Sequence, residues 1–299
     1  MASEGDASLQ LEEALSQTGV TALMVAYERA LETEREDALF KDPLAKQLAG
    51  ESAGEQMSQK MELHAPAFGF ADWPQYHKQW TVCRTAFIDN WFKQNVEPGI
   101  QVVNLGAGVD TRPFRLPCLK DVSCVFEVDR EDVNRVKSYI LDRVVDKRAA
   151  FCERKVVTCD LSNSAALERQ LSKAGFDKAR PSMWLLEGLL MYLNKTHQAE
   201  LLGCMSGLAC EGSKALINFL SVPAEYADKG YCTEDYLQML QGKATETETE
   251  TGSGRVTSCP VGWDSVKMYR FGDADVSFGR FPQSKFKPSD SFSLAVCSM

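Results

Sequence analysis

Apolar residues recur at Val20, Leu23, Met24, Tyr27 and Leu31, the spacing of one helical face, and predict an amphipathic helix over 18–31. Asp42-Pro43 starts a second helix, since proline suits the first helical position. The stretch 49–59 is polar and contains Gly50 and Gly54, which reads as a mobile loop or a frayed helix end. The helical pattern returns over 79–92 with Val82, Ala86, Ile88, Trp91 and Phe92, and Pro98-Gly99 ends it.

Beyond that break the period changes. Short apolar runs of strand length stand at 100–105, 123–128, 155–159, 182–186 and 215–220. Helical patterns at 132–145, 165–173 and 198–209 separate them. Alternation of this kind predicts an α/β fold, a doubly wound and mostly parallel sheet with helices on both faces. The runs 265–271 and 291–297 read as closing strands, an antiparallel pair at the sheet edge. Between them and the core, 244–254 is acidic, repetitive and ends in Gly and Ser, the composition of a solvated disordered loop. One structural domain is expected, with 1–98 as an N-terminal helical cap and 99–299 as the core.

Composition narrows the function. A content of 44% hydrophobic and 25% charged residues suits a large core. A net charge of −9 argues against nucleic acid as the main partner, because counterion release needs a basic face. It argues equally against an anionic membrane surface. The ten cysteines form no CxxC, and no histidine stands at zinc-finger spacing from them, so no metal is expected. Several sit in apolar runs, as reduced thiols do in a reducing compartment. With no hydrophobic leader at the start and no run near the roughly 20 apolar residues of a membrane span, the expected location is the cytoplasm.

The candidate chemistry lies where the strands end. Four successive runs finish in Gly106-Ala107-Gly108, Asp129, Asp160 and Glu187. Doubly wound sheets bind ligands outside the carboxyl ends of their strands. Glycines there let the backbone pass close to a ligand. Asp129 stands about 20 residues past the glycines, the offset at which an acid holds ribose hydroxyls. Asp160 could accept from an adenine amine, and Glu187 could face a cation. Any one strand-end acid is more often a helix cap; their ordered recurrence carries the inference. A dinucleotide dehydrogenase would need a third glycine, and Thr111 stands there, followed by Arg112-Pro113, so a cofactor without phosphates fits better.

The run Asn104-Leu-Gly-Ala-Gly-Val-Asp-Thr-Arg-Pro-Phe-Arg-Leu116 resembles motif I of the leucine carboxyl methyltransferase family. The likeness continues through Phe126-Glu-Val-Asp129, Cys159-Asp-Leu161 and Glu187-Gly-Leu-Leu-Met-Tyr-Leu193. Upstream, Phe40-Lys-Asp-Pro43 and Arg84-Thr85 look like the family's N-terminal signature, and the whole spans about 18–223 in order. The resemblance implies a Rossmann-like class I methyltransferase that uses S-adenosyl-L-methionine and releases S-adenosyl-L-homocysteine. It implies Arg84 on the methionine carboxylate, Gly106, Ala107 and Gly108 beneath the cofactor, and Asp129 on the ribose. Asp160 and Leu161 would meet the adenine, and Glu187 the methionine ammonium or the sulfonium. Lys41 matches less well and reads equally as a solvated residue.

Methyl transfer is an in-line displacement, and positioning alone can supply about 7–11 kcal/mol. A carboxylate acceptor needs no base, whereas a hydroxyl does. Candidate bases are His64, His77 and Tyr192; His197 reads as structural. The aromatic segment with Phe68, Phe70, Trp73, Tyr76 and Trp80 either covers the site or packs as helical core. The expected reaction is O-methylation of a carboxylate on a small molecule. The alternatives are a thioether or thiol acid, a protein's C-terminal leucine carboxylate, and a scaffold that keeps the fold without turnover.

Overall fold

A computed structural model describes residues 15–50, 52–64, 73–144, 150–220, 263, 265–271, 273–280 and 292–299. The acidic repeat at 244–254 and the aromatics Phe68 and Phe70 lie outside them. The first helical pattern becomes α1, Gln17–Thr33. The Ser16 side chain caps it by accepting the Gly19 N–H at 3.2 Å, a contact of the kind that contributes about 1 kcal/mol. Leu23 and Met24 of its apolar stripe are fully buried. A four-residue helix, α2 (Ala45–Leu48), follows Pro43.

The stretch expected as a mobile loop or a frayed helix end instead starts a regular helix: α3 runs Ala53–His64. Its polar composition misleads because, among the side chains described, a narrow face of Gly54, Met57 and Ser58 is buried while the rest face water. Gly54 is there for contact rather than flexibility. A Cβ at that position would come within 2.5 Å of the Leu23 carbonyl oxygen, so α3 is pressed directly onto the backbone of α1. The long helix α4, Trp73–Asn95, completes this layer and buries Trp80, Cys83, Ile88, Trp91 and Phe92.

The five core strands are β1 (Gln101–Leu105), β2 (Cys124–Asp129), β3 (Arg154–Thr158), β4 (Ser182–Leu186) and β5 (Lys214–Leu220). Each lies where an apolar run predicts it, within a residue or so at either end. They are parallel, with register such as Val103 beside Phe126 and Trp184. β1, β2 and β4 are buried along nearly their whole length, which is why they read as unbroken apolar runs rather than as alternation. Alternate residues still divide between two cores: Val102, Val125, Met183 and Leu185 meet α1 and α4. Val103, Phe126, Trp184 and Leu186 go to the opposite face. There they meet α7 (Leu167–Lys173) and α8 (Lys195–Leu208). The other α-helices among the described residues are α5 (Arg112–Arg115) and α6 (Glu131–Val144) within the β1–β3 half, and α9 (Ala274–Ser277) after β5.

Two further strands, β6 (Ser265–Arg270) and β7 (Phe292–Ser298), close the sheet in antiparallel fashion, as expected. The strand order is β3-β2-β1-β4-β5-β7-β6. The chain steps outward from β1 to β3, then returns to the other side of β1 with β4. The crevice where the order reverses, between the carboxyl ends of β1 and β4, is the place such sheets bind ligands.

Candidate functional site

A cavity of about 270 Å³ opens at that crevice. Its wall contains all the strand-end residues singled out above: Gly106, Ala107 and Gly108 after β1, Asp129 at the end of β2, Asp160 and Leu161 after β3, and Glu187 after β4. Arg84, His77 and Trp80 reach it from α4, and Thr21 and Met24 from α1.

The turn after β1 needs its glycines for backbone shape. Gly106 has φ +70° and Gly108 φ +47°, both in the left-handed region. An added Cβ at Gly106 would come within 3.0 Å of Leu189 Cδ1 and 3.2 Å of its Cβ, and at Gly108 within 3.3 Å of Ala22 Cβ. The close approach is therefore to neighbouring protein atoms, and the tight turn leaves the cavity open beside it. Gly106→Ala is expected to cost about 1–3 kcal/mol, read as a lower urea midpoint with an unchanged denaturant slope.

Asp129 locks this turn. Its Oδ2 accepts the Gly108 N–H at 2.6 Å and its Oδ1 the Arg130 N–H at 2.7 Å. Burial pushes its carboxyl above the usual range, and the two N–H groups offset that only in part. Each oxygen keeps acceptor capacity, since a carboxylate has about four lone-pair sites. Across the cavity mouth, Asp160 is exposed and accepts from Ser162 Oγ at 2.7 Å and Ser162 N at 3.0 Å, bonds that lower its pKa. Leu161 beside it is buried.

The opposite end is ionic. Arg84 Nε donates to Glu187 Oε1 at 2.8 Å, and Arg112 Nη1 donates to Glu187 Oε2 at 2.7 Å. The sequence reading sets Arg84 and Glu187 against opposite charges of one ligand; the structure pairs them with each other. Arg84 also reaches Asn218 Oδ1 at 3.4 Å, leaving its Nη2 edge for a carboxylate. Behind them runs a network invisible in the sequence. Arg112 bonds Asp110 at 2.6 Å and Asp89 at 2.8 Å, Arg115 also pairs with Asp89, and Arg29 and Thr111 both donate to Asp42, at 2.9 and 2.6 Å. Burial would raise the carboxyl of Asp110, but Arg112 and Lys137 overrule it and hold it well below its ordinary range. Arg29 and Arg115 do the same for Asp42, and Arg112 and Arg84 for Glu187.

These depressed values set a pH dependence. A carboxyl whose folded pKa lies below its unfolded one stabilises the fold above the unfolded value, about 4, and loses that contribution as pH falls toward the folded value. Asp129, shifted the other way, contributes with opposite sign. With Asp160 lowered as well, four lowered carboxyls of the site against one raised predict a net fall in urea-unfolding free energy as pH drops below about 4.

The three candidate bases differ. His64 is the last residue of α3, and its side chain lies outside the described residues, as do those of Trp73 and Tyr76. The Tyr192 hydroxyl shares a hydrogen bond of 2.8 Å with Thr21 Oγ1. Burial raises its pKa, so it can donate a proton bond but is poorly suited to take a proton. His77 is buried, with Nδ1 at 2.9 and 3.1 Å from the two oxygens of Glu28. Glu28 was not singled out in the sequence, though a glutamate four residues after Met24, on the buried stripe of α1, was the available signal. Lys41 is exposed and donates to the carbonyls of Thr33 and Arg35, so it caps the end of α1. Among the described residues no cluster of His, Cys, Asp and Glu suits a metal ion. No described helix is long and apolar enough to cross a membrane.

Comparison with known proteins adds four findings. The family description for leucine carboxyl methyltransferase matches residues 22–206. A Saccharopolyspora erythraea protein named "Putative S-adenosyl-L-methionine-dependent methyltransferase" is 37% identical over 209 residues, covering 70% of this chain and 69% of its own. A protein of the same name from Mycolicibacterium paratuberculosis is 34% identical over 221 residues, covering 73% and 70%. Among solved structures, a Thermobifida fusca protein described as a "putative methyltransferase" aligns over 91% of this chain and 93% of its own at 15% identity, with a TM-score of 0.49.

Proposed function

The chain belongs to the leucine carboxyl methyltransferase family of S-adenosylmethionine-dependent enzymes, and we propose on that premise that it methylates an oxygen acid, a small molecule offering a carboxylate or a hydroxyl. The observation that carries the cofactor half of this reading is the order of groups along one cavity. An acceptor-only carboxylate, Asp129, holds the glycine turn, the apolar Leu161 lines the cavity after β3, and the Arg84–Glu187 pair lies on the β4 side.

Each group suits one part of S-adenosylmethionine. Asp129 has acceptor sites left for two vicinal hydroxyls. Leu161 offers an apolar surface to a purine, and Asp160 a carboxylate beside it. Arg84 can present its Nη2 edge to the methionine carboxylate, and Glu187 can share its charge with the ammonium. When bound, the sulfonium supplies the methyl group and a good leaving group. The chain's own residues then have to hold the acceptor oxygen in line and keep water out. Apolar Met24, Met191 and Trp80 also line the cavity and suit an acceptor with an apolar part.

Calorimetric titration with S-adenosylhomocysteine tests the reading. Binding at micromolar concentration is expected, and absence of binding by the intact chain would remove the basis for it.

A further inference from the structure

One polar residue interrupts the apolar run of β5. Asn218 stands between Ile217 and Phe219, is 0% exposed, and lies beyond residues 22–206, which the family description matches. A buried amide costs free energy unless its hydrogen bonds are made, and here all four positions of the group are used. Its Oδ1 accepts the Gly188 N–H at 3.1 Å and Arg84 Nη1 at 3.4 Å. Its Nδ2 donates to the carbonyls of Phe219 at 3.1 Å and Ser293 at 3.4 Å. The partners fix which way the amide faces. Two of them can only donate and two can only accept, so a turned amide would set donors against donors.

We propose that Asn218 is a positioning residue for Arg84, and through it for the methionine carboxylate of the cofactor. The inference rests on the methyltransferase reading and deepens it, since it carries the cofactor site past the stretch that the family description matches. Glu187 holds Arg84 at Nε, at 2.8 Å. A planar guanidinium held at one nitrogen can still pivot about that contact. A second contact at Nη1 sets the plane, and with it the direction of the remaining N–H groups.

A neutral acceptor suits that task better than a second carboxylate. It steers the group without competing with a ligand for its charge, and Glu187 already supplies a counter-charge. Gly188, at φ +63°, brings its backbone beside the same guanidinium, where an added Cβ would lie 3.7 Å from Arg84 Nη1. The hold also reaches beyond the cavity wall. Ser293 belongs to β7, so the antiparallel edge of the sheet steadies the amide that steadies Arg84.

Calorimetric titration of the full chain with two ligands tests this. One is S-adenosylhomocysteine; the other is methylthioadenosine, a nucleoside thioether that lacks the amino-acid carboxylate and ammonium. Asn218→Ala should weaken S-adenosylhomocysteine about tenfold, part of the roughly one to two decades that a hydrogen bond to a charged group represents. Methylthioadenosine should bind variant and parent alike. In an Arg84→Met background, Asn218→Ala should add no further loss, because the two residues act as one unit. Asn218→Ser keeps a hydroxyl against the strand carbonyls but is one bond too short for the guanidinium. It should show the same split between ligands, and it serves where the alanine variant does not fold. Equal losses for both ligands would make Asn218 a residue of the fold alone and overturn the proposal. No loss for either ligand, or a loss that persists in Arg84→Met, would overturn it as well. An intact chain that binds neither ligand would instead overturn the cofactor reading beneath it.

Discussion

Asp129→Ala is expected to weaken S-adenosylhomocysteine binding by at least two orders of magnitude in calorimetric titration. Hydrogen bonds to a charged acceptor contribute about 1.5–3 kcal/mol each, and two ribose hydroxyls would lose about 3–6 kcal/mol together. At about 1.4 kcal/mol per decade, that is a loss of two to four decades. The substitution also removes the acceptor for the Gly108 and Arg130 N–H groups, which hold the turn after β1. Asp129→Asn separates the two roles. It keeps one acceptor oxygen, enough for one of the two turn N–H groups and for one ribose hydroxyl, so an intermediate affinity is expected. Stability should behave differently from affinity. Burial holds the Asp129 carboxyl above its ordinary range, so the charge is tolerated rather than favoured in the fold. The Asn variant loses one turn N–H bond but also the buried charge, so its urea midpoint should change far less than its affinity. Loss of stability in parallel with loss of binding would show that Asp129 serves the fold first.

The second large effect is expected at Arg112. Its guanidinium touches Asp89, Asp110 and Glu187, and it is 4% exposed. Arg112→Met preserves much of the volume but leaves three buried carboxylates short of their shared cation. Breaking a buried ion pair from one side costs about 3–5 kcal/mol, and urea unfolding should show a loss of that order. Arg112→Lys keeps the charge but not the fork that spans several carboxylates at once, so most of the loss should remain. The exposed Lys78–Glu62 pair is the control, since surface pairs contribute about 0–1 kcal/mol. A loss at Arg112 no larger than at Lys78 would mean that Arg115 and Arg84 compensate for it.

The contrast between those two sites shows what the sequence made legible. Asp129 could be found because it closes an apolar run, and the end of a parallel strand is a fixed place in the fold. The same logic located Gly106, Gly108, Asp160 and Glu187, which the structure gathers around one cavity. Strand boundaries were readable because β1, β2 and β4 are buried on both faces. The ionic network was not readable. Asp42, Asp89, Asp110 and Glu187 come from four separate stretches of chain, and no local period links them. The helix α3 was misread for a related reason: its polarity describes the side facing water, while Gly54 reports a contact with α1 that only tertiary packing creates. His77 was found as a residue type, but its partner Glu28 lies 49 positions away. What gives the pair its meaning is the crossing of α1 and α4.

The placement of β7 between β5 and β6 also governs the order in which the sheet can be assembled. Synthesis delivers β5 first, then β6, and only afterwards the strand that joins them. Until 292–298 has been made, β5 presents a bare edge of backbone N–H and C=O groups, and β6 has no neighbour in the sheet to pair with. The half of the sheet around the cofactor turn can form while the chain is still incomplete. The β5–β6 half must wait for β7, the strand that joins them, so its pairing spans the long stretch of chain from 220 to 292.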